Sequence, residues 1–298
     1  MAVPTFADFV AGVWETDCYA CCKPSTQRRV DGLLRTQLQP RFGSTVLTEI
    51  QPEQVHAWFD LYSCTAPGGA TRALDVLRQI LNHAMALGLL PRNPADGVRP
   101  NPRTRPTRFL SRAEIDRLYA ALRSHRGRGS GRQQCDIIRL LLLTGCRKGE
   151  LVSLRWSEVD DDVLNLADTK TGPRTVFLNT PARAILWRQP RVGPYVFPAP
   201  KNPSAPRSSE LSVWRKVRRS AGLDDVRLHD LRHTFASHAV ISGVPIPVVA
   251  RLLGHSHVRM TLRYVHVSDR DTQDAAERVG SAISEVLSGS RGLSGVRG

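Results

Sequence analysis

A chain of 298 residues, 41% of them hydrophobic, is long enough for two domains with cores of their own. No apolar run approaches the ~18–20 residues of a bilayer span, and the opening MAVPTFADFVAGVWETD lacks a basic stretch followed by an apolar block, so neither a membrane segment nor export is expected. Forty-two Lys and Arg against 27 Asp and Glu leave a net charge of +15, which suits a polyanion partner because phosphate neutralisation supplies most non-specific DNA affinity. An arginine-rich composition from a GC-rich genome would give the same balance.

The first hundred residues read as helices. STQRRVDGLLRTQLQPRF opens on a Ser/Thr cap and spaces Val30, Leu33, Leu34 and Leu38 helically. QPEQVHAWFDLY continues the pattern, and so does ATRALDVLRQILNHAMALGLL, which Gly88 and Pro91 end. Before these, CYACC places Cys18, Cys21 and Cys22 together, with Cys64, Cys135 and Cys146 elsewhere. No second Cys/His pair at finger spacing follows, so free thiols are expected rather than zinc or disulfides.

Prolines 100, 102 and 106 then alternate with Arg99, Arg103, Arg105 and Arg108, without an acid. Proline blocks helix and strand alike, so residues 99–109 read as an extended basic linker able to meet DNA phosphates, or as a solvated hinge. Domains are therefore expected at 1–98 and 110–288, with a disordered tail at 289–298.

In the second domain Ser111 and Glu114 form a capping box. SHRGRGSGRQ reads as a mobile loop, and CDIIRLLLLTGCRKGELVSLRW as a buried helix turning at Gly145. DVLNLADTKTGPRTVFL alternates on both sides of KTGP, as a tight-turned hairpin does. VDDDV, the one carboxylate cluster, fits the turn leading into that hairpin. SSELSVWRKVRRSAGL, DLRHTFASHAVISG and PIPVVARLLG are helical again, LLGHSHVRMTLRYVHV keeps helical spacing, and a last segment aligns Val279, Ile283, Val286 and Leu287.

Four islands of this half carry cations or imidazoles beside small residues: TGCRKGEL, KTG, LHDLRHTFAS and LLGHS with T-x-x-Y. Singly, each could be a solvated or ion-paired surface. In this order Arg147, Lys170, His229, Arg232, His255 and Tyr264 resemble the signature of the tyrosine recombinases, the phage-integrase family, local frames included. KPSTQRRVDGLL, LQPRFGSTVLTEI and GLLPRNPADGV resemble that family's core-binding domain less strongly.

The resemblance implies a mainly α protein: a helical, SAM-like core-binding domain, then a mixed α/β catalytic domain with a small antiparallel hairpin. It implies site-specific recombination through a 3′-phosphotyrosyl bond at Tyr264, with Arg147 and Arg232 holding phosphoryl oxygens and His255 donating to one. His229 would assist as general base, Lys170 would protonate the departing 5′-oxygen, and Glu150 would orient an arginine or backbone. Bidentate guanidiniums suit such oxygens better than ammonium does, and positioned cations supply most of the rate in phosphoryl transfer, so no metal or other cofactor is expected.

Arg259 and Arg263, with His257 and His266, are expected to be DNA-phosphate contacts or solvated, and His233 and His238 structural. The implied partners are double-stranded DNA, three further copies in a synaptic tetramer joined through the C-terminal helix, and accessory DNA-bending proteins, in the cytoplasm at the nucleoid. A helical part starting almost at Met1 leaves no room for the arm-binding domain of larger integrases. Competing readings are a type IB topoisomerase, an idle DNA-binding protein, and a metal site built on His255, His257 and HDLRH.

Overall fold

In the computed structural model the chain divides into two units, Met1–Arg105 and Pro106–Gly298, the first with one buried apolar cluster and the second with a large one and a small one around Val249, Leu253 and Tyr264. The structure describes residues 3–102, 108–125, 130–169, 172–265 and 269–289. The RGRG part of the arginine–glycine loop (126–129) and the tail from residue 290 lie outside them.

The first unit is all helical. Thr5 caps α1 (Phe6–Phe9), which runs on as a wide helical stretch over Val10–Tyr19. Then come α2 (Pro24–Leu33), α3 (Gln39–Phe42), α4 (Pro52–Thr65) and α5 (Pro67–Ala86). The Ser/Thr cap expected for α2 is corrected: Lys23 is the N-cap and Pro24 the first helical residue, where its fixed φ and missing N–H carry no penalty. Helix α5 turns Leu74, Leu77, Ile80 and Leu81 fully inward, each worth roughly 1.5–3 kcal/mol of transfer free energy. Phe6, Phe42 and Trp58 pack against them, the last two edge to face at 5.5 Å. Cys18 and Cys21 are exposed free thiols, and among the described residues no group of His, Cys, Asp or Glu could hold a metal ion.

The second unit begins with the capping box at α6 (Arg112–Ser124): Ser111 Oγ accepts from the Glu114 N–H, and the Glu114 carboxylate accepts from the Ser111 N–H at 2.8 Å. Helix α7 (Ser130–Thr144) is the central rod of this unit, with Ile137, Ile138, Leu140 and Leu141 buried. Short α8 (Lys148–Val152) follows, then strands β1 (Val163–Leu166) and β2 (Arg174–Phe177), paired antiparallel with Val163 opposite Phe177. Seven residues, 167–173, separate the strands, and Lys170 and Thr171, in the KTGP stretch expected to turn tightly, lie outside the described residues. Asp162 of VDDDV pairs with Arg183 at the entry to β1.

Helix α9 (Thr180–Trp187), a second small hairpin of β3 (Pro198–Ala199) and β4 (Asn202–Pro206), and α10 (Ser212–Ser220) complete the shell. Helices α11 (Asp230–Ile241) and α12 (Ile246–Leu253) carry the site, and α13 (Asp269–Gly289) ends the described chain. The unit is mainly α with two small antiparallel sheets. No helix of the described residues is long and apolar enough to cross a membrane.

Candidate active site

The turn between α7 and α8 sets the first arginine. Gly145 adopts φ +64°, and a Cβ there would run into the Phe235 ring, so only glycine reverses the chain at this point. Arg147 follows as the N-cap of α8, and Glu150 folds back on it. The Glu150 carboxylate accepts the Arg147 N–H at 2.7 Å and the Arg147 guanidinium at 2.9 Å.

The third donor to that carboxylate is Arg174, the first residue of β2, at 2.7 Å. Arg174 also donates to the Leu252 carbonyl at 3.1 Å and lies where a Cβ on Gly254 would fall, so the left-handed glycine that ends α12 is required twice over. Burial pushes the Glu150 carboxyl up, but the Arg174 and Arg147 guanidiniums outweigh it and hold the group below the usual carboxylate range.

Arg232, on the first turn of α11, is 3% exposed. Its guanidinium donates to the Gly145 carbonyl and to the Leu253 carbonyl, both at 2.6 Å. One side chain thus ties the loop that carries Arg147 to the helix end that precedes His255. Burial, with Arg147 and Arg174 nearby, pulls its pKa down to about 10. The guanidiniums of Arg147 and Arg174 share the Glu150 carboxylate and that of Arg232 lies in the same field, a cationic cluster suited to an anion.

The expected continuous helix over LLGHSHVRMTLRYVHV is corrected. Helix α12 stops at Gly254, and two tight turns, Val258–Met260 and Leu262–Tyr264, follow. His255 and the fully buried Thr261 are joined Nδ1 to Oγ1 at 2.8 Å, which anchors the turn bearing Tyr264. Tyr264 is 3% exposed, and burial raises its pKa against the fields of Arg232 and Arg263.

The Tyr264 hydroxyl meets His233 Nδ1 at 2.7 Å, a contact at odds with the expectation that His233 is merely structural. The His233 ring in turn stands edge-on to His229, centroids 4.8 Å apart. Burial and cationic neighbours lower all three site histidines, His233 and His255 to about 4, so they are neutral at pH 7. His238 donates to the Leu110 carbonyl and does hold structure.

The structure therefore brings together Arg147, Glu150, His229, Arg232, His255 and Tyr264, and adds His233, Arg174 and Thr261. Nothing local marked the first two of these additions; Thr261 could have been found as the Thr of T-x-x-Y. Lys170, Arg103 and Arg105 lie outside the described residues, as does His266. Thr169 Oγ1 donates to the Gly172 carbonyl at 2.5 Å. Arg99, Arg259 and Arg263 are exposed, as is His257. The Arg108 guanidinium binds Glu114 at 2.6 Å and Asp225 at 2.7 Å within the unit.

The phage integrase family model matches residues 108–271. The tyrosine recombinase XerC of Erythrobacter litoralis is 33% identical over 221 residues, 71% of each chain. The Tn1549 transposon integrase, solved in complex with circular intermediate DNA, superposes with a TM-score of 0.72 at 17% identity, over 91% of this chain and 99% of that one. A lambda integrase tetramer bound to a Holliday junction gives 0.72 at 18% identity, over 89% and 78%.

Proposed function

This chain belongs to the phage integrase family of site-specific DNA recombinases, and we propose that it breaks and rejoins DNA without metal, through a 3′-phosphotyrosyl bond at Tyr264. The single observation that carries the reading is the cluster of guanidiniums around Arg147 and Arg232, assembled beside Tyr264. A scissile phosphodiester is the anion that suits it. The two guanidiniums hold its non-bridging oxygens, and their attraction grows as charge develops on those oxygens in the transition state.

His255, held by Thr261 through Nδ1, has Nε2 left to donate to a phosphate oxygen. Neutral His229 assists removal of the Tyr264 proton, since a phenol of pKa ~10 is a weak nucleophile unaided. Lys170 protonates the departing 5′-oxygen. Glu150 acts through the two arginines it holds. The bond energy stored in the phosphotyrosyl link then drives rejoining to a second strand.

The first unit is the core-DNA-binding domain and the second the catalytic domain, joined by the basic linker, and together they bind one double-stranded core site. Strand exchange takes place in a synaptic tetramer on two sites. Helix α13, whose Val279 and Ile283 are 59% and 55% exposed on one face, docks on a neighbouring protomer. Accessory DNA-bending proteins assist, and the work is done on nucleoid DNA in the cytoplasm, as integration, excision or dimer resolution.

The test is covalent trapping on nicked duplexes tiled from DNA flanking the gene. A denaturation-resistant adduct that forms in EDTA and is lost in Tyr264→Phe supports the reading. Binding without an adduct on any duplex returns weight to an idle DNA-binding protein, and cleavage that requires a divalent cation contradicts the reading.

A further inference from the structure

Among the described residues the Tyr264 hydroxyl is hydrogen-bonded to His233, a histidine with no role in the scheme above. We propose that His233 Nδ1 is the immediate proton acceptor of the Tyr264 nucleophile, with His229 standing behind it; the assignment rests on the phosphotyrosyl reading.

Geometry comes first. A base must lie within about 2.6–3.2 Å of the oxygen it deprotonates, and His233 Nδ1 stands at 2.7 Å. The ring is fixed: His233 is 7% exposed on the second turn of α11, its plane tilted 48° to the Tyr264 ring and its edge against His229 at 86°. With the ring neutral and its remaining hydrogen on Nε2, Nδ1 presents a lone pair to the phenolic O–H.

Electrostatics complete the case. The groups facing His233 are His229, Asp230, Arg227 and Arg263 along with Tyr264, and in the empty site burial and the cations among them keep the imidazole a weak base. A bound phosphodiester adds negative charge to the same space and raises the basicity of the ring when it is needed. The step balances as follows: the Tyr264 Oη–phosphorus bond forms, the phosphorus–O5′ bond breaks, the phenolic proton passes to His233 Nδ1, and Lys170 gives a proton to O5′. On rejoining, the attacking 5′-hydroxyl gives its proton to Lys170 as the phosphorus–O5′ bond forms, the Tyr264 Oη–phosphorus bond breaks, and His233 returns its proton to the leaving Tyr264 oxygen.

His233→Asn tests the assignment, because the asparagine Oδ1 occupies the place of Nδ1 and keeps an acceptor for the O–H but cannot take its proton near neutrality. Single-turnover adduct formation on a nicked duplex is measured from pH 5 to 9 for the wild type, His233→Asn and His233→Gln, with rejoining measured on the isolated adduct. Both variants are expected to form and resolve the adduct roughly 10²-fold more slowly, within the range of general-base contributions, and to lose the rise in rate with pH. A His233→Asn rate at or above wild type, or an unchanged pH profile, would overturn the assignment and leave the contact as a holder of Tyr264.

Should both variants fail to fold, the 15N shift of His233 Nδ1 decides. It is expected to move in Tyr264→Phe, and no movement overturns the contact itself. A wild-type chain that never forms a Tyr264-dependent adduct fails the phosphotyrosyl reading instead, and this assignment with it.

Discussion

Arg174 reaches from the hairpin to Glu150 at 2.7 Å, so one buried carboxylate is shared by two guanidiniums that come from opposite sides of the site. Glu150→Gln removes the carboxylate that Arg147 and Arg174 share and strengthens the mutual repulsion of Arg147, Arg174 and Arg232 in a poorly hydrated space. Breaking a buried ion pair by deleting one partner destabilises by about 3–5 kcal/mol. Denaturant unfolding should show a loss of that order, and sulfate should raise the Tm of the variant more than that of the wild type. Equal Tm values for the two proteins would show that the cluster needs no internal anion.

Glu114 sets an acid limit on the second unit. The Arg108 hydrogen bond lowers its carboxyl to about 2, against the opposing push of burial. A folded-state pKa below the unfolded one gives stability that is complete above about pH 4.5 and is lost as pH falls toward 2. Stability measured across that window should decline, and Glu114→Gln should flatten the decline while lowering stability at pH 7. An unchanged slope would contradict the pairing.

Arg232 is expected to resist its most conservative replacement. Lysine keeps a charge but has no fork to reach the Gly145 and Leu253 carbonyls together while facing a phosphate. Arg232→Lys should bind DNA nearly as the wild type does and cleave it about 10²–10³-fold more slowly, the range for loss of one transition-state donor. Single-turnover cleavage beside equilibrium binding separates the two effects.

The surface arginines divide by what they already hold. Arg259 and Arg263 are exposed, whereas Arg108 is bound to Glu114 and Asp225. Alanine at Arg259 or Arg263 should reduce the slope of log Kobs against log salt by about one each. Arg108→Ala should leave the slope unchanged and lower the Tm.

Residues whose chemistry dictates their type could be read directly: planar guanidiniums for phosphate oxygens, a phenol for the covalent bond, a glycine at the Gly145 turn before the first arginine. Contacts made across long stretches of chain could not. The acceptor of the Tyr264 proton sits 31 residues earlier, beside an arginine whose own role hides it, and Arg108 meets Asp225 across 117 residues. The helical spacing of LLGHSHVRMTLRYVHV misled because short tight turns also bury every third or fourth residue; the break at Gly254 is set by Arg174 packing against it, a tertiary fact.

The central claim is that Tyr264 itself carries the DNA. Trypsin cuts after Arg263 and Arg270, so the peptide 264–270, YVHVSDR, isolates the nucleophile. Mass spectrometry of a trapped, nuclease-trimmed adduct should find the nucleotide on that peptide, 3′-linked through tyrosine. A nucleotide found on any other peptide, or a 5′-linkage, would contradict the account.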